Sequence, residues 1–126
     1  MAVAAFGSWH ELHSTALAAL EGSPALIAHA ALEAYSVLTR LPEPFRAPAA
    51  TVTEYLVANF ERRLALPAGE QRRLPELMQR AGIRGGAVYD GLVALTAKAA
   101  EAELLSLDVR AAETYARLGV NHRLIL

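Results

Sequence analysis

Two short apolar runs, ALIA at residues 25–28 and LLSL at residues 104–107, show no polar alternation, and each leads into a stretch with helical spacing. A strand that is apolar on both faces must be covered on both faces, as the strands of a parallel sheet are. Short buried strands alternating with amphipathic helices predict an α/β domain with a parallel sheet and right-handed crossovers. With 126 residues, 54% of them hydrophobic, the chain can bury one core and is short for two ordinary domains.

The intervening segments carry helix punctuation. MAVAAF stops at Gly7, and Ser8-Trp9-His10-Glu11 matches the capping box, in which Ser and a Glu three residues later satisfy each other's backbone donors. A helix with Trp9, Leu12, Ala16 and Leu20 on one face follows, closed by Glu21-Gly22 and Ser23-Pro24. Residues 30–41 predict a helix that buries Leu32, Ala34, Val37, Leu38 and Leu41 and is stopped by Pro42 and Pro44. Thr51-Val52-Thr53-Glu54 is a second capping box, opening a helix that runs to Arg62. Over residues 64–84, Pro67-Ala68-Gly69 marks a break, and Pro75 must start, kink or end the surrounding helix. After Gly85-Gly86, Val88, Leu92, Leu95 and Ala99 form one apolar stripe. LLSL then runs into Asp108, a helix over residues 109–118 ends at Gly119, and residues 120–126 form a last strand.

Composition narrows the function classes. Twelve basic residues against thirteen acidic ones give a net charge of -1, so a polyanion must be met by a local patch such as Arg62-Arg63 or Arg72-Arg73. Solvated helix faces explain those arginine pairs equally well. The absence of Cys excludes disulfides, thiolate zinc sites and Cys nucleophiles. No basic leader precedes the first apolar stretch, and no apolar run reaches the roughly 18 residues of a membrane span, so a cytoplasmic protein without a membrane association is expected. His10 and His13 lack the i, i+4 spacing of a helical zinc site, and Gly82, Gly85 and Gly86 match no phosphate-binding loop.

Eleven of the thirteen acids are Glu, leaving Asp90 and Asp108 as the only Asp residues. Asp108 directly follows a predicted strand, where ligands of open α/β sheets bind, and equally precedes a helix it can cap. Asp90 falls early in its helix, where the macrodipole favours an acid; yet Ala94 and Ala97 on the same face leave room for a ligand. Glu33 lies early in the helix after ALIA, where a solvated stripe with Ser36 and Arg40 is the plain alternative. All three acids stand at or just beyond strand-to-helix junctions. Carboxylates converging there repel one another unless a cation intervenes, and hard oxygen donors suit Mg²⁺ or Mn²⁺, ions that activate water for phosphodiester cleavage.

Three segments, HAALEAYSVLTRLP around Glu33, GIRGGAVYDGLVALTAKA around Asp90 and LLSLDVRAAETYARLGV around Asp108, make the chain resemble the PIN domain, in particular the VapC-type toxins of bacterial toxin–antitoxin modules. The resemblance implies an α/β, PIN-like (Rossmann-like) three-layer domain over residues 1–126, its parallel sheet flanked by helices. It further implies an endoribonuclease that uses Mg²⁺ or Mn²⁺ held by four acids, of which Glu33, Asp90 and Asp108 match the second, third and fourth. Ser106 matches a small hydroxyl residue that supports the last acid. RNA as substrate, a cognate antitoxin that blocks the site, and a homodimer are implied partners.

The opening MAVAAFGSWHELH corresponds to the stretch just after the family's first acid, so the resemblance implies a domain that is N-terminally incomplete, lacking the usual first strand. Val3-Ala4-Ala5-Phe6 then corresponds to the loop or helix start that follows that strand. On this reading the chain as written shows little nuclease activity and an upstream-extended form is active. The alternative is a catalytically impaired PIN-like remnant that keeps only binding to an antitoxin or other partner.

Overall fold

A computed structural model describes residues 1–125, which divide into two compact units, Met1–Arg63 and Leu64–Ile125. The first unit contains helices α1 (Ala2–Phe6), α2 (His13–Leu20), α3 (Ala28–Arg40) and α4 (Ala49–Asn59), with strand β1 (Leu26–Ile27) between α2 and α3. Strand β2 (Arg63–Leu64) begins where this unit ends, and β1 and β2 pair. ALIA is thus a strand of two residues, both buried, and α3 starts at once.

Two capping boxes expected from the sequence do not form. Residues 8–12 make successive turns, in which His10 Nδ1 accepts the Leu12 N–H at 3.1 Å, and α2 starts only at His13 without a side-chain cap. Trp9 leaves the expected helical stripe. Its indole lies against Gly7, where a Cβ would stand 2.5 Å from the ring, and its centroid is 5.4 Å from that of Phe45. Helix α4 begins two residues ahead of Thr51, because extended Pro48 closes the first turn by accepting the Val52 N–H. Thr53 Oγ1 donates to the Ala50 carbonyl instead of capping. The helix stops at Asn59 rather than Arg62, and Arg63 covers its end by donating to the Leu56 and Phe60 carbonyls.

The core of this unit joins Leu26, Ala31, Ala34, Leu38, Val52 and Leu56. Ala31, Ala34 and Leu38 define the buried face of α3, which leaves Leu32, one residue off that face, 68% exposed instead of buried. Tyr55 on α4 donates its hydroxyl to the Ala2 carbonyl at 2.6 Å and meets Phe6 edge-on at 5.0 Å. Burial pushes its phenol up from 10.0 to about 12. The neutral phenol is therefore favoured by folding, so its contribution is complete below pH 10 and is lost as pH rises through about 12. Tyr55→Phe is expected to cost about 1 kcal/mol at pH 8 and to flatten the fall in stability between pH 10 and 12; urea unfolding at a series of pH values measures both.

The second unit contains α5 (Ala68–Gln71), α6 (Leu74–Ala81), α7 (Ala87–Ala99), β3 (Leu104–Ser106), α8 (Ala112–Arg117) and β4 (His122–Leu124). Pro75 starts α6, where its missing N–H costs nothing, and Gly82 ends it at φ 70°, a conformation open to glycine. Strands β3 and β4 pair in parallel, Leu104 opposite His122 and Ser106 opposite Leu124, with α8 as the connection between them. The expected last strand thus covers residues 122–124, and its final residue, Leu126, lies outside the described residues.

On α7 the buried positions are Gly91, Ala94, Thr96 and Ala97, not the expected stripe of Val88, Leu92, Leu95 and Ala99, of which Ala99 is exposed. Close packing explains the change. A Cβ on Gly91 would stand 2.5 Å from Met78 Cε, so the missing side chain admits the α6 methionine to the α7 backbone. Ala94 and Ala97, 0% and 2% exposed, are covered by the protein itself rather than held open for a ligand.

Candidate functional site

Asp108 occupies the corner after β3. Its Oδ1 accepts the backbone N–H groups of Arg110 at 2.9 Å and Ala111 at 3.3 Å, which turns residues 109–111 and delays α8 until Ala112. This is the capping role open to an Asp at this position. Because Oδ1 takes both amides, Oδ2 makes no hydrogen bond among the described residues. The corner is fixed from beneath as well: Ser106, 7% exposed, accepts the Asp108 N–H on its Oγ at 3.0 Å.

Asp90 lies in the first turn of α7 and is half-buried, where the helix dipole stabilises its charge. Glu33 lies within α3, 54% exposed, with Oε1 2.9 Å from His29 Nε2. Its Oε2 makes no hydrogen bond among the described residues. Glu33 belongs to the first unit and Asp90 and Asp108 to the second. Within either unit alone, among the described residues, no three His, Asp or Glu side chains gather closely enough to hold a metal ion.

The other chemical candidates resolve into structural roles. His13 Nδ1 donates to the Ala4 carbonyl at 2.8 Å and His10 Nδ1 accepts from Leu12, so neither imidazole presents a full pair of free nitrogens. Arg62 donates to the Ser23 carbonyl and Arg63 caps α4, whereas Arg72 and Arg73 are exposed. An open apolar groove of about 750 Å³ runs between α6 and α7, lined by Leu74, Met78, Ile83, Val88, Tyr89 and Leu92 among others. No carboxylate lines it, so it lacks the anionic oxygen donors that favour a hard cation.

Comparison with known families decides which family the chain belongs to. The family model "PIN domain" matches residues 1–117, a span that runs through both units. The chain belongs to the PIN domain family. Ribonuclease VapC40 of Mycobacterium tuberculosis, from strains CDC 1551 / Oshkosh and ATCC 25618 / H37Rv alike, is 49% identical to this PIN domain over 127 aligned positions, covering 98% of the chain and 92% of the relative. Ribonuclease VapC27 of the H37Rv strain is 43% identical over 97 positions, covering 77% of the chain and 71% of the relative. No solved structure matches the chain. Helices alternating with short strands, two of them parallel, accord with the family's α/β class. No described helix is long and apolar enough to cross a membrane.

Two side chains around the PIN domain's acids escaped the residue-by-residue reading. His29 is bonded to Glu33 from one turn earlier, a pairing signalled by their i, i+4 spacing. Tyr115 places its hydroxyl 3.4 Å from Ser106 Oγ. Its sequence signal is weak, because an aromatic on α8 reads first as core.

Proposed function

We propose that this PIN domain is a metal-dependent endoribonuclease that hydrolyses RNA phosphodiester bonds as the toxin component of a toxin–antitoxin module. The observation that carries the reading is the 49% identity, over 98% of the chain, to a protein named Ribonuclease VapC40. Glu33, Asp90 and Asp108 hold the Mg²⁺ or Mn²⁺ ion. The donor set supports this assignment: all three are carboxylates, and Glu33 and Asp108 each keep one oxygen clear of protein hydrogen bonds. A divalent ion bound by such a set lowers the pKa of a water and offsets the charge that builds on the phosphodiester.

The protein's own part is to hold the carboxylates in place. Two backbone amides and the Ser106 hydroxyl fix Asp108, the dipole of α7 favours ionised Asp90, and His29 restrains one oxygen of Glu33. Exposed Arg72 and Arg73 supply charge for RNA phosphates. The wider reading is a single PIN-like domain over residues 1–126, three-layered about a parallel sheet, acting in the cytoplasm as a homodimer bound by a cognate antitoxin.

Chelation tests the proposal. Cleavage of single-stranded RNA, by this chain or by an upstream-extended form, is expected to stop in excess EDTA and to return when Mg²⁺ or Mn²⁺ is added beyond the chelator. Cleavage that persists after exhaustive chelation contradicts a metal-dependent enzyme.

A further inference from the structure

We infer that Trp9 and Phe45 form a stacking platform for an unpaired base of an RNA strand, an inference that rests on RNA being the substrate. Both residues belong to the first unit. Their ring centroids lie 5.4 Å apart with the planes tilted by 54°, so the rings open as a shallow wedge instead of stacking on each other. Trp9 is 42% exposed and Phe45 44%, although large aromatics are the side chains with most to gain from burial.

The backbone holds each ring at the surface. Around Trp9, the Gly7 carbonyl accepts the His10 N–H at 2.9 Å and the His10 carbonyl accepts the His13 N–H at 3.0 Å. Around Phe45, the Pro42 carbonyl accepts the Phe45 N–H and the Leu38 carbonyl accepts the N–H of buried Ala47, both at 3.0 Å. Arg46 Nε closes the same loop on the Leu41 carbonyl at 2.9 Å. The indole is seated in addition by Gly7, where a Cβ would stand 2.5 to 2.8 Å from three of its ring atoms. A ring so fixed loses little freedom when a ligand stacks on it.

The donors beside the rings select the occupant. The His10 ring centroid lies 5.9 Å from that of the indole, and because its Nδ1 accepts the Leu12 N–H, the neutral imidazole carries its proton on Nε2. Neither that Nε2–H nor the indole N–H has a hydrogen-bond partner among the described residues. Arg46, exposed and next in the chain to Phe45, meets Glu43 only at 3.7 Å and keeps guanidinium donors for a phosphate. A base offers a π face to the rings and carbonyl oxygens and ring nitrogens to the N–H donors. An apolar protein segment would cover the rings and strand those donors, at the cost of desolvating them. In duplex RNA the base faces are already stacked, so the platform selects unpaired bases.

Trp9 is the chain's single tryptophan, so its fluorescence reads the platform directly. The test titrates a short single-stranded RNA, and a duplex of the same sequence, into the whole chain in EDTA, so that binding is read without any metal. Trp9 fluorescence is followed beside the anisotropy of a dye on the RNA. The single strand is expected to quench Trp9 along the same curve as the anisotropy, and the duplex to leave Trp9 unchanged. Trp9→Ala and Phe45→Ala, each shown folded by circular dichroism, are expected to weaken single-strand binding about 5- to 150-fold, and Trp9→Phe to keep most of it. Gly7→Ala displaces the indole while both rings remain, and is expected to weaken binding several-fold. If the single strand binds with Trp9 fluorescence unchanged and these variants bind as the parent does, the platform is overturned and the RNA reading stands. If neither RNA binds, the RNA reading fails and the platform with it. If Trp9 emission shifts with protein concentration alone, a second copy covers the rings and the platform is overturned.

Discussion

Replacing Asp90 by Asn is expected to lower metal-dependent RNA cleavage by about 10²-fold or more, while the protein keeps its fold. The substitution conserves shape and removes a charge. If Asp90 serves only the α7 dipole, the loss is confined to stability and amounts to roughly 0.3 to 1 kcal/mol. If it holds the metal, an anionic ligand becomes a neutral amide, and a loss of several kcal/mol of charge stabilisation appears in the rate. Initial rates on a fixed RNA, measured beside a thermal melt, separate the two. A variant that melts normally and cleaves normally removes Asp90 from the site.

The second large effect concerns stability. Leu38→Ala is expected to cost about 2 to 5 kcal/mol, a large part of the roughly 5 to 15 kcal/mol that hold a domain together. Leu38 is fully buried, and its partners on the same face of α3 are Ala31 and Ala34. Alanines have no side chain to swing into a cavity, so the vacated space stays open and the cost falls toward the upper end of that range. The matching control is Leu32→Ala, on the same helix and exposed, where a change within about 0.5 kcal/mol is expected. Denaturant midpoints for the two variants give the comparison, and equal losses contradict the assigned face of α3.

These two helices show what was legible in the sequence. The order and type of α3, β1, α7, β3, α8 and β4 follow from apolar runs, glycines and prolines, and each lies near its expected place. The faces do not follow as simply. Periodicity weighted by size selects Leu32 on α3 and Val88, Leu92, Leu95 and Ala99 on α7, whereas the buried seams run through Ala31 and Ala34 and through Gly91, Ala94 and Ala97. Where helices pack closely, small residues take the line of contact, and in a chain so rich in alanine both stripes are open to the eye. Local capping signals failed for a related reason. Ser8–Glu11 and Thr51–Glu54 satisfy the pattern, yet Trp9 docking on Gly7 and the fixed turn of Pro48 move each helix start.

For the candidate site, the three acids are a choice made on the sequence, whereas the hydrogen bonds around them required coordinates. Asp108 after a strand is visible as a corner residue; that the same carboxylate caps with Oδ1 and leaves Oδ2 clear required coordinates. The two readings weighed against each other for Asp108 turn out to be compatible, since the cap uses one oxygen. The bond between Tyr115 and Ser106 spans nine residues and two elements, which no local pattern encodes.

The central claim is that Glu33, Asp90 and Asp108 hold one divalent ion. Titrating Mn²⁺ into the isotope-labelled protein and following paramagnetic broadening of its amide signals tests this without any RNA. The account predicts that signals at residues 33, 90 and 108 broaden together along a single saturation curve, and that Mg²⁺ competes with the Mn²⁺. Broadening at one of the three while the others stay sharp, or curves with unrelated midpoints, contradicts it.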